Sequence, residues 1–230
     1  MELWLDGVEI DLIKKIDQMG ILKGVTTNPT LLASENPMQI IDELLSIQKG
    51  PVAIQVLGDT KVEMIEQALF LNKISSRILP KIPVLPEGIM AMKELQEKNL
   101  DFLATAVISF RQAFLAFQAG VPCVAAYLGR FSDEGKDPSQ LLEFMVKMKK
   151  NYGFKTRIMA AGIRSLDHLY KGTEFGIESA TLPKTVFQQL LTTPDSVSLA
   201  LQKFQSDWQE SKNFLFERGE SPMREGLASA

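Results

Sequence analysis

The sequence predicts an α/β protein whose chain closes into a (β/α)8 TIM barrel with an additional C-terminal helix. Short β-like runs alternate with amphipathic helical stretches along the whole chain. At 230 residues the chain is long enough for eight such units in one compact barrel. A doubly wound sheet would favour a glycine-rich phosphate fingerprint after the first strand, but Asp6-Gly7-Val8-Glu9 stands there. The barrel is therefore the predicted fold.

The predicted strands are short runs rich in apolar and β-branched residues. In chain order they are Leu3–Leu5, Gly24–Thr26, Val52–Val56, Ile78–Ile82, Phe102–Val107, Cys123–Tyr127, Thr156–Ala161 and Ser179–Leu182. Pro80 lies within the fourth run and Pro83 directly follows it, so the two prolines flank Lys81. Proline is uncommon in central strands because it cannot donate a backbone hydrogen bond, so this run fits a barrel strand least well.

Between the strands, apolar residues recur at the three- and four-residue spacing of amphipathic helices. Gly20 and Gly120 follow two of these stretches and indicate where the helices stop. The predicted helices are Ile10–Met19, Pro37–Ile47, Lys61–Leu71, Pro86–Leu95, Phe110–Ala119, Ser139–Asn151, Thr185–Leu191 and Asp195–Ser211, with a further one around His168.

The chain contains no Gly/Ser-rich linker and no visible internal repeat. We therefore expect residues 1–219 to form a single barrel domain that includes the C-terminal helix. Residues 220–230 are expected to form a disordered tail.

Composition excludes several classes of function. A net charge of -3 lacks the basic patches that nucleic acid or an anionic membrane would require. A single cysteine, Cys123, permits no internal disulfide and fits a cytoplasmic location. The N-terminus lacks the features of a signal peptide, and no apolar run reaches transmembrane length.

Lys81 is the first candidate for chemistry, because it lies in an apolar run near the C-terminal end of a strand. Burial disfavours the ammonium form, and a neutral amine can attack a carbonyl to form a Schiff base. The alternative is a lysine whose stem packs while its amine reaches water. The run itself leaves both interpretations open.

Polar residues stand at the C-terminal ends of the other predicted strands as well. If the strands close into a barrel, these side chains meet at one mouth. They are Asp6, Thr26, Asn28, Gln55, Thr105, Tyr127, Arg130 and Arg164. Together with Lys81 they form a set suited to carbonyl chemistry on a phosphorylated polyol.

Other catalytic arrangements are not supported. Ser165, Asp167 and His168 are too close in sequence to act as a triad and are expected to begin a helix. One histidine and one cysteine are too few for a zinc site of the usual kind, and no P-loop motif occurs. The acidic loop at residues 132–138 lacks EF-hand spacing, and Cys123 is expected to be a packing residue.

The chain resembles the transaldolase family, in the small branch that includes fructose-6-phosphate aldolase. The matching motifs extend across most of the chain in order. They are Leu3-Trp4-Leu5-Asp6, Gly24-Val25-Thr26-Thr27-Asn28-Pro29-Thr30, Lys81-Ile82-Pro83-Val84 with Glu87-Gly88, Thr105-Ala106-Val107 with Gln112, Ala119-Gly120, Tyr127 with Arg130, Ala160-Ala161 with Arg164, and Thr181-Leu182-Pro183.

The resemblance implies a class I aldolase that needs no cofactor and no metal, acting on a small sugar or sugar phosphate. Lys81 would form the Schiff base, and Asp6 would assist proton transfers. Gln55, Thr105 and Tyr127 would hold a catalytic water. Asn28 and Thr26 would orient donor hydroxyls, and Arg130 and Arg164 would face the acceptor's phosphate.

Two positions separate the aldolases of this family from the transaldolases. The resemblance places glutamine and tyrosine at these positions in aldolases, as in Gln55 and Tyr127 here, and glutamate and phenylalanine in transaldolases. We therefore expect aldol cleavage and synthesis. Transfer of a dihydroxyacetone unit and a non-catalytic sugar-phosphate binding barrel are the alternatives.

Three residues depart from the family pattern. Gly162 replaces a phosphate-contacting serine, Leu85 replaces a common threonine, and Pro80 replaces an apolar residue. The loss of a hydroxyl at Gly162 leaves open whether the acceptor is phosphorylated. Relatives also assemble through their C-terminal helix, so the resemblance implies a homo-oligomer, either a pentamer or a decamer. The apolar face of this helix could equally pack on its own barrel.

Overall fold

The computed structural model describes residues 1–33 and 36–210. Eight parallel strands close into a barrel in sequential order, which confirms the predicted fold class. The strands are β1 (Glu2–Asp6), β2 (Leu22–Thr26), β3 (Val52–Gln55), β4 (Ile78–Pro83), β5 (Leu103–Val107), β6 (Cys123–Tyr127), β7 (Arg157–Ala161) and β8 (Ser179–Pro183).

Helices follow the strands along the chain. They are α1 (Ile10–Gln18), α2 (Pro29–Leu32), α3 (Pro37–Ile47), α4 (Lys61–Ile74), α5 (Pro86–Glu97), α6 (Phe110–Gln118), α7 (Leu128–Asp133), α8 (Pro138–Tyr152), α9 (Leu166–Glu174), α10 (Lys184–Leu190) and α11 (Asp195–Glu210). The short helices α2 and α7 were not expected from the sequence. None of the described helices has the length and apolar character needed to cross a membrane.

Local sequence explains where several helices begin. Thr60 and Glu63 form a reciprocal capping box at the start of α4. Ser165 caps α9 by accepting a hydrogen bond from the His168 amide, so these residues do begin a helix. Glycine at position 153 closes α8 in the left-handed conformation that favours this residue.

Pro80 and Pro83 lie at positions of β4 where pairing with the neighbouring strands needs no backbone N–H group. The Lys81 carbonyl accepts from the Val56 amide on the β3 side, and alternate residues of a strand face opposite neighbours. The Pro80 nitrogen therefore faces β5, but pairing with β5 begins only at Lys81. The Pro83 nitrogen faces β3, whose pairing has already ended at Gln55. A proline is tolerated at both positions because no hydrogen bond is lost.

The barrel interior is filled by side chains, as in other barrels of this size. Its buried cluster consists of Trp4, Ala53, Leu103, Ala125, Met159 and Ala161. Cys123 packs against this cluster, and burial raises the pKa of its thiol to about 12. The thiol therefore remains protonated, which agrees with a packing role.

The barrel unit comprises Met1–Leu190, and a second unit begins at Leu191. The described part of the second unit contains α11, which carries exposed apolar side chains at Val197, Leu199, Leu201 and Phe204. The prediction of one domain through residue 219 stays a prediction. Residues 220–230, expected to form a disordered tail, lie outside the described residues.

Candidate active site

A cavity of about 660 Å³ opens at the C-terminal ends of the barrel strands. Eight of the nine predicted site residues line it: Asp6, Thr26, Asn28, Gln55, Lys81, Tyr127, Arg130 and Arg164. The ninth, Thr105, is fully buried behind this surface and contacts Tyr127. The strands bring these side chains together because all eight run in the same direction around a closed barrel.

Lys81 lies deep in the cavity wall and is only 3% exposed. Its Nζ donates a hydrogen bond to the backbone carbonyl of Thr27 at 2.5 Å. Burial lowers the pKa of Lys81 to about 8, although the nearby Asp6 carboxylate opposes this shift. A substantial fraction of the amine is therefore neutral near physiological pH, as a nucleophile requires.

Asp6 is held by a chain of two threonine hydroxyls. Thr26 Oγ1 donates to the Asp6 carboxylate at 2.8 Å and lies 2.7 Å from the hydroxyl of Thr181. Because the Thr26 proton is directed to Asp6, Thr181 must donate to Thr26. Burial raises the pKa of Asp6, while the Thr26 hydrogen bond and the Lys81 charge oppose the rise. A carboxyl group with a raised pKa can exchange protons with other groups in the cavity.

Thr181 was not identified as a site residue from the sequence, although it lines the cavity. Two signals were available: the family motif Thr181-Leu182-Pro183, and a threonine between the apolar residues Ala180 and Leu182. A threonine in a strand usually needs no functional explanation, because β-branched residues are common there.

Tyr127 faces the cavity, and its phenol shares a 3.0 Å hydrogen bond with the hydroxyl of Thr105. Burial raises the pKa of Tyr127, so the phenol stays protonated at neutral pH. A protonated phenol at the cavity wall can deliver a proton or orient a water molecule.

Asn28 has a structural role in addition to lining the cavity. Its side-chain oxygen accepts from the Leu31 amide at 3.0 Å and caps α2. The side-chain nitrogen of Asn28 is the group that can donate a hydrogen bond to a ligand while the oxygen caps α2.

The two arginines at the mouth share an acidic partner that the sequence did not reveal. Arg164 donates two hydrogen bonds to the Asp133 carboxylate, at 2.5 and 2.7 Å. Arg130 lies 3.9 Å from the same carboxylate. We expected a substrate phosphate to lie between the two guanidiniums. The protein itself places a negative charge there, the Asp133 carboxylate.

Gly162 lies beside these arginines in a left-handed conformation, with φ at +59°. Its carbonyl accepts a hydrogen bond from the Gly129 amide at 2.9 Å. A side chain at position 162 would have room but would be strained by the backbone. Backbone conformation therefore accounts for the glycine.

Among residues 1–33 and 36–210, no three His, Cys, Asp or Glu side chains gather closely enough to hold a metal ion. His168 is not a cavity-lining residue, and burial lowers the pKa of its imidazole.

Comparison with known proteins gives a consistent family. A family model described as Transaldolase/Fructose-6-phosphate aldolase matches residues 3–223. A probable transaldolase of Moorella thermoacetica is 36% identical over 215 residues, covering 93% of this chain and all of the relative. Probable transaldolases of Leptospira biflexa and Dictyoglomus turgidum are also 36% identical, covering 90% and 91% of this chain and 97% and 99% of their own lengths.

A solved structure of similar fold is orotidine 5'-monophosphate decarboxylase from Metallosphaera sedula. It superposes with a TM-score of 0.56 at 12% identity, covering 81% of this chain and 90% of that one. At this level of identity the likeness concerns the barrel fold alone.

Proposed function

Because the chain belongs to the transaldolase/fructose-6-phosphate aldolase family, we propose that it is a class I aldolase. It would reversibly cleave fructose 6-phosphate or a related ketose to dihydroxyacetone and an aldehyde such as glyceraldehyde 3-phosphate. The observation that carries this proposal is the buried Lys81 amine, with its lowered pKa, in a cavity shared with the Asp6 carboxylate.

The first stage is formation of the imine. The neutral Lys81 amine attacks the ketose carbonyl, and the resulting carbinolamine loses water to give a protonated imine. Asp6 supplies and removes the protons of these steps, and the Thr181–Thr26 chain holds it in place. Thr26 is thus assigned chiefly to Asp6, since its hydroxyl already bonds the carboxylate.

The second stage breaks the carbon–carbon bond. A base removes the proton of the hydroxyl on the carbon β to the imine, and the bond between the α and β carbons breaks. The β carbon leaves as the aldehyde, and the bonding electrons pass to the imine, forming an enamine. Protonation of the enamine carbon and addition of water then release dihydroxyacetone and restore Lys81. Gln55 and Tyr127 line the cavity where this water would lie, while the Asn28 amide nitrogen would bind donor hydroxyls.

The Tyr127 phenol favours aldol cleavage over transfer. Release of free dihydroxyacetone needs a proton and a water molecule at the enamine, and Tyr127, supported by Thr105, can serve both needs. The second candidate is a transaldolase, which passes the three-carbon unit directly to an acceptor aldehyde. The names of the relatives, probable transaldolases, favour this candidate.

We further propose that the enzyme works in the cytoplasm as a homo-oligomer, a pentamer or decamer, on a sugar or sugar phosphate. The support is the family together with the exposed apolar side chains of α11. Light scattering on the full chain tests this assembly, and a mass of one chain would contradict it.

Reductive trapping tests the chemistry. The protein is incubated with dihydroxyacetone and borohydride, digested, and searched by mass spectrometry for the modified lysine. The label is expected on Lys81 and should be absent in Lys81→Met, while the exposed-lysine control Lys73→Met should be labelled normally. No label on any lysine would support a non-catalytic binding barrel instead.

A product assay separates the two enzymes. Fructose 6-phosphate is supplied without an acceptor, and free dihydroxyacetone is measured. Steady release identifies the aldolase. Release that stays undetectable, with transfer appearing only after erythrose 4-phosphate is added, identifies the transaldolase.

A further inference from the structure

Strand β5 contains an irregularity directly beside the Thr105–Tyr127 pair. Ala104 pairs with Val124 and Val107 pairs with Ala126, so three steps along β5 match two steps along β6. One extra residue is therefore inserted at Thr105 or Ala106. Such β-bulges often redirect a side chain next to an active site.

Ala106, at this insertion, has an unusual backbone conformation. Its φ is +59°, one of two positive values among the described non-glycine residues. An alanine in this region is strained, and it persists only where its surroundings enforce it. The neighbouring contacts should therefore reveal what holds Ala106 in place.

The side chain of Gln112 supplies these contacts. Its Nε2 donates to the Ala106 carbonyl at 2.9 Å and to the Val84 carbonyl at 3.2 Å. Its Oε1 accepts from the Ile108 amide at 3.1 Å and from the Ser109 hydroxyl at 3.0 Å. All four bonds suit a primary amide, which has two N–H groups and one oxygen with two lone pairs.

The donor half of Gln112 joins the ends of two catalytic strands. Val84 directly follows β4, the strand that carries Lys81, and its own amide donates to the Thr105 carbonyl at 3.0 Å. Ala106 directly follows Thr105. A single side chain thus bonds the carbonyls of Val84 and Ala106.

We propose that Gln112 is a positioning residue that holds Ala106 in its left-handed conformation and thereby keeps the Thr105 hydroxyl on the Tyr127 phenol. The catalytic consequence rests on the proposed function, because it requires Tyr127 to handle protons. The geometric consequence, an intact Thr105–Tyr127 hydrogen bond, does not depend on the proposed function.

Two substitutions separate the halves of the amide. Gln112→Met keeps the length and removes all four hydrogen bonds. Gln112→Glu keeps the oxygen that accepts from Ile108 and Ser109 but replaces the donor nitrogen with a second acceptor. If only the start of α6 mattered, Gln112→Glu would behave like the wild type. We expect both variants to lose activity, because the Nε2 group of Gln112 is the part of the amide that holds Ala106 in place.

The geometric readout is the titration of the Tyr127 phenol, followed by NMR of ¹³Cζ-labelled tyrosine. The Thr105 hydrogen bond lowers the pKa of Tyr127, so its loss should raise that pKa. Thr105→Val gives the reference shift for a missing hydrogen bond. Gln112→Met and Gln112→Glu should shift the pKa in the same direction, and an unchanged pKa in both would overturn the proposal.

The kinetic readout is the rate of ketose cleavage. We expect kcat to fall about tenfold to a hundredfold, part of what a proton-transfer group contributes, with KM within about twofold. Ala106→Gly should rescue much of the loss when combined with either Gln112 variant, because glycine adopts this conformation without strain. The matched control is Gln96→Met, which removes a similar amide-to-carbonyl bond, to Gly120, away from the cavity.

The two readouts separate failure of this inference from failure of the proposed function. If the wild type shows neither imine trapping nor cleavage, the proposed function fails, and the Tyr127 titration still tests Gln112. If the wild type is active but the Gln112 variants keep full kcat, or the Ala106→Gly combinations show no recovery, Gln112 is not the positioning residue.

Discussion

The Asp133 carboxylate and the Arg164 guanidinium form a bidentate pair, with oxygen–nitrogen distances of 2.5 and 2.7 Å. Such a pair fixes the plane of the guanidinium and occupies two of its donors. Arg130, the second arginine at the mouth, lies 3.9 Å from the same carboxylate. The mouth of the cavity therefore carries two positive charges and one negative charge, which attract a phosphate more weakly than two free arginines would.

Neutralising Asp133 should increase the preference for phosphorylated acceptors. Asp133→Asn keeps the shape but removes the charge that competes with a phosphate for both arginines. We expect the ratio of kcat/KM for glyceraldehyde 3-phosphate to that for glyceraldehyde to rise about twofold to fivefold, the range of an exposed ion pair. Asp137→Asn, at an exposed carboxylate paired with Lys171, is the matched control. A falling ratio would indicate that Asp133 instead holds Arg164 in a phosphate-binding position.

A serine at position 162 should destabilise the protein. The left-handed backbone of Gly162 penalises an added Cβ by about 1–2 kcal/mol. Urea unfolding should show this loss in Gly162→Ser and a smaller one in Gly162→Asn, because asparagine tolerates the conformation better. Equal stability of all three proteins would mean that the backbone relaxes at this site.

The pH dependence of imine formation should report the titration of Lys81. The ammonium cannot attack a carbonyl, so the rate of trapping should rise with pH and level off above a midpoint of about 8. Asp6→Asn should move the midpoint to lower pH, because the Asp6 charge supports the protonated amine. Lys73→Met serves as the control with an unchanged midpoint. A wild-type midpoint near 10 would contradict the burial argument.

Replacing Tyr127 should separate release of the product from formation of the imine. In Tyr127→Phe we expect release of free dihydroxyacetone to slow about tenfold to a thousandfold, the scale of a lost proton-transfer group. Borohydride trapping on Lys81 should persist, and transfer to an acceptor aldehyde should fall less. Tyr152→Phe, at an exposed tyrosine, should leave every activity unchanged. Parallel loss of cleavage and transfer would make Tyr127 a packing or binding residue instead.

Most of the candidate site could be predicted because its members are polar residues at strand ends. Asp6, Thr26, Gln55 and Tyr127 end their strands in the structure, and a closed parallel barrel brings such residues to one mouth. Thr181 was recognised as part of the motif Thr181-Leu182-Pro183 but was given no role in the site, because a threonine is ordinary within a strand. Asp133 escaped notice because it belongs to α7, a short helix that the apolar pattern did not indicate.

The sequence by itself determined the barrel, its eight strands and the strand-end side chains, since these depend on local periodicity and on the direction of the chain. Only the tertiary structure decided how those side chains are paired: the two threonines on Asp6, the Asp133 carboxylate on Arg164, and the Gln112 amide on Ala106. These pairings depend on the register of neighbouring strands, on the short helix α7 and on the irregularity in β5, and all three are set by the packing of segments distant in sequence. The same reason explains Ala106. Its positive φ is strained for an alanine, and the surrounding fold imposes it.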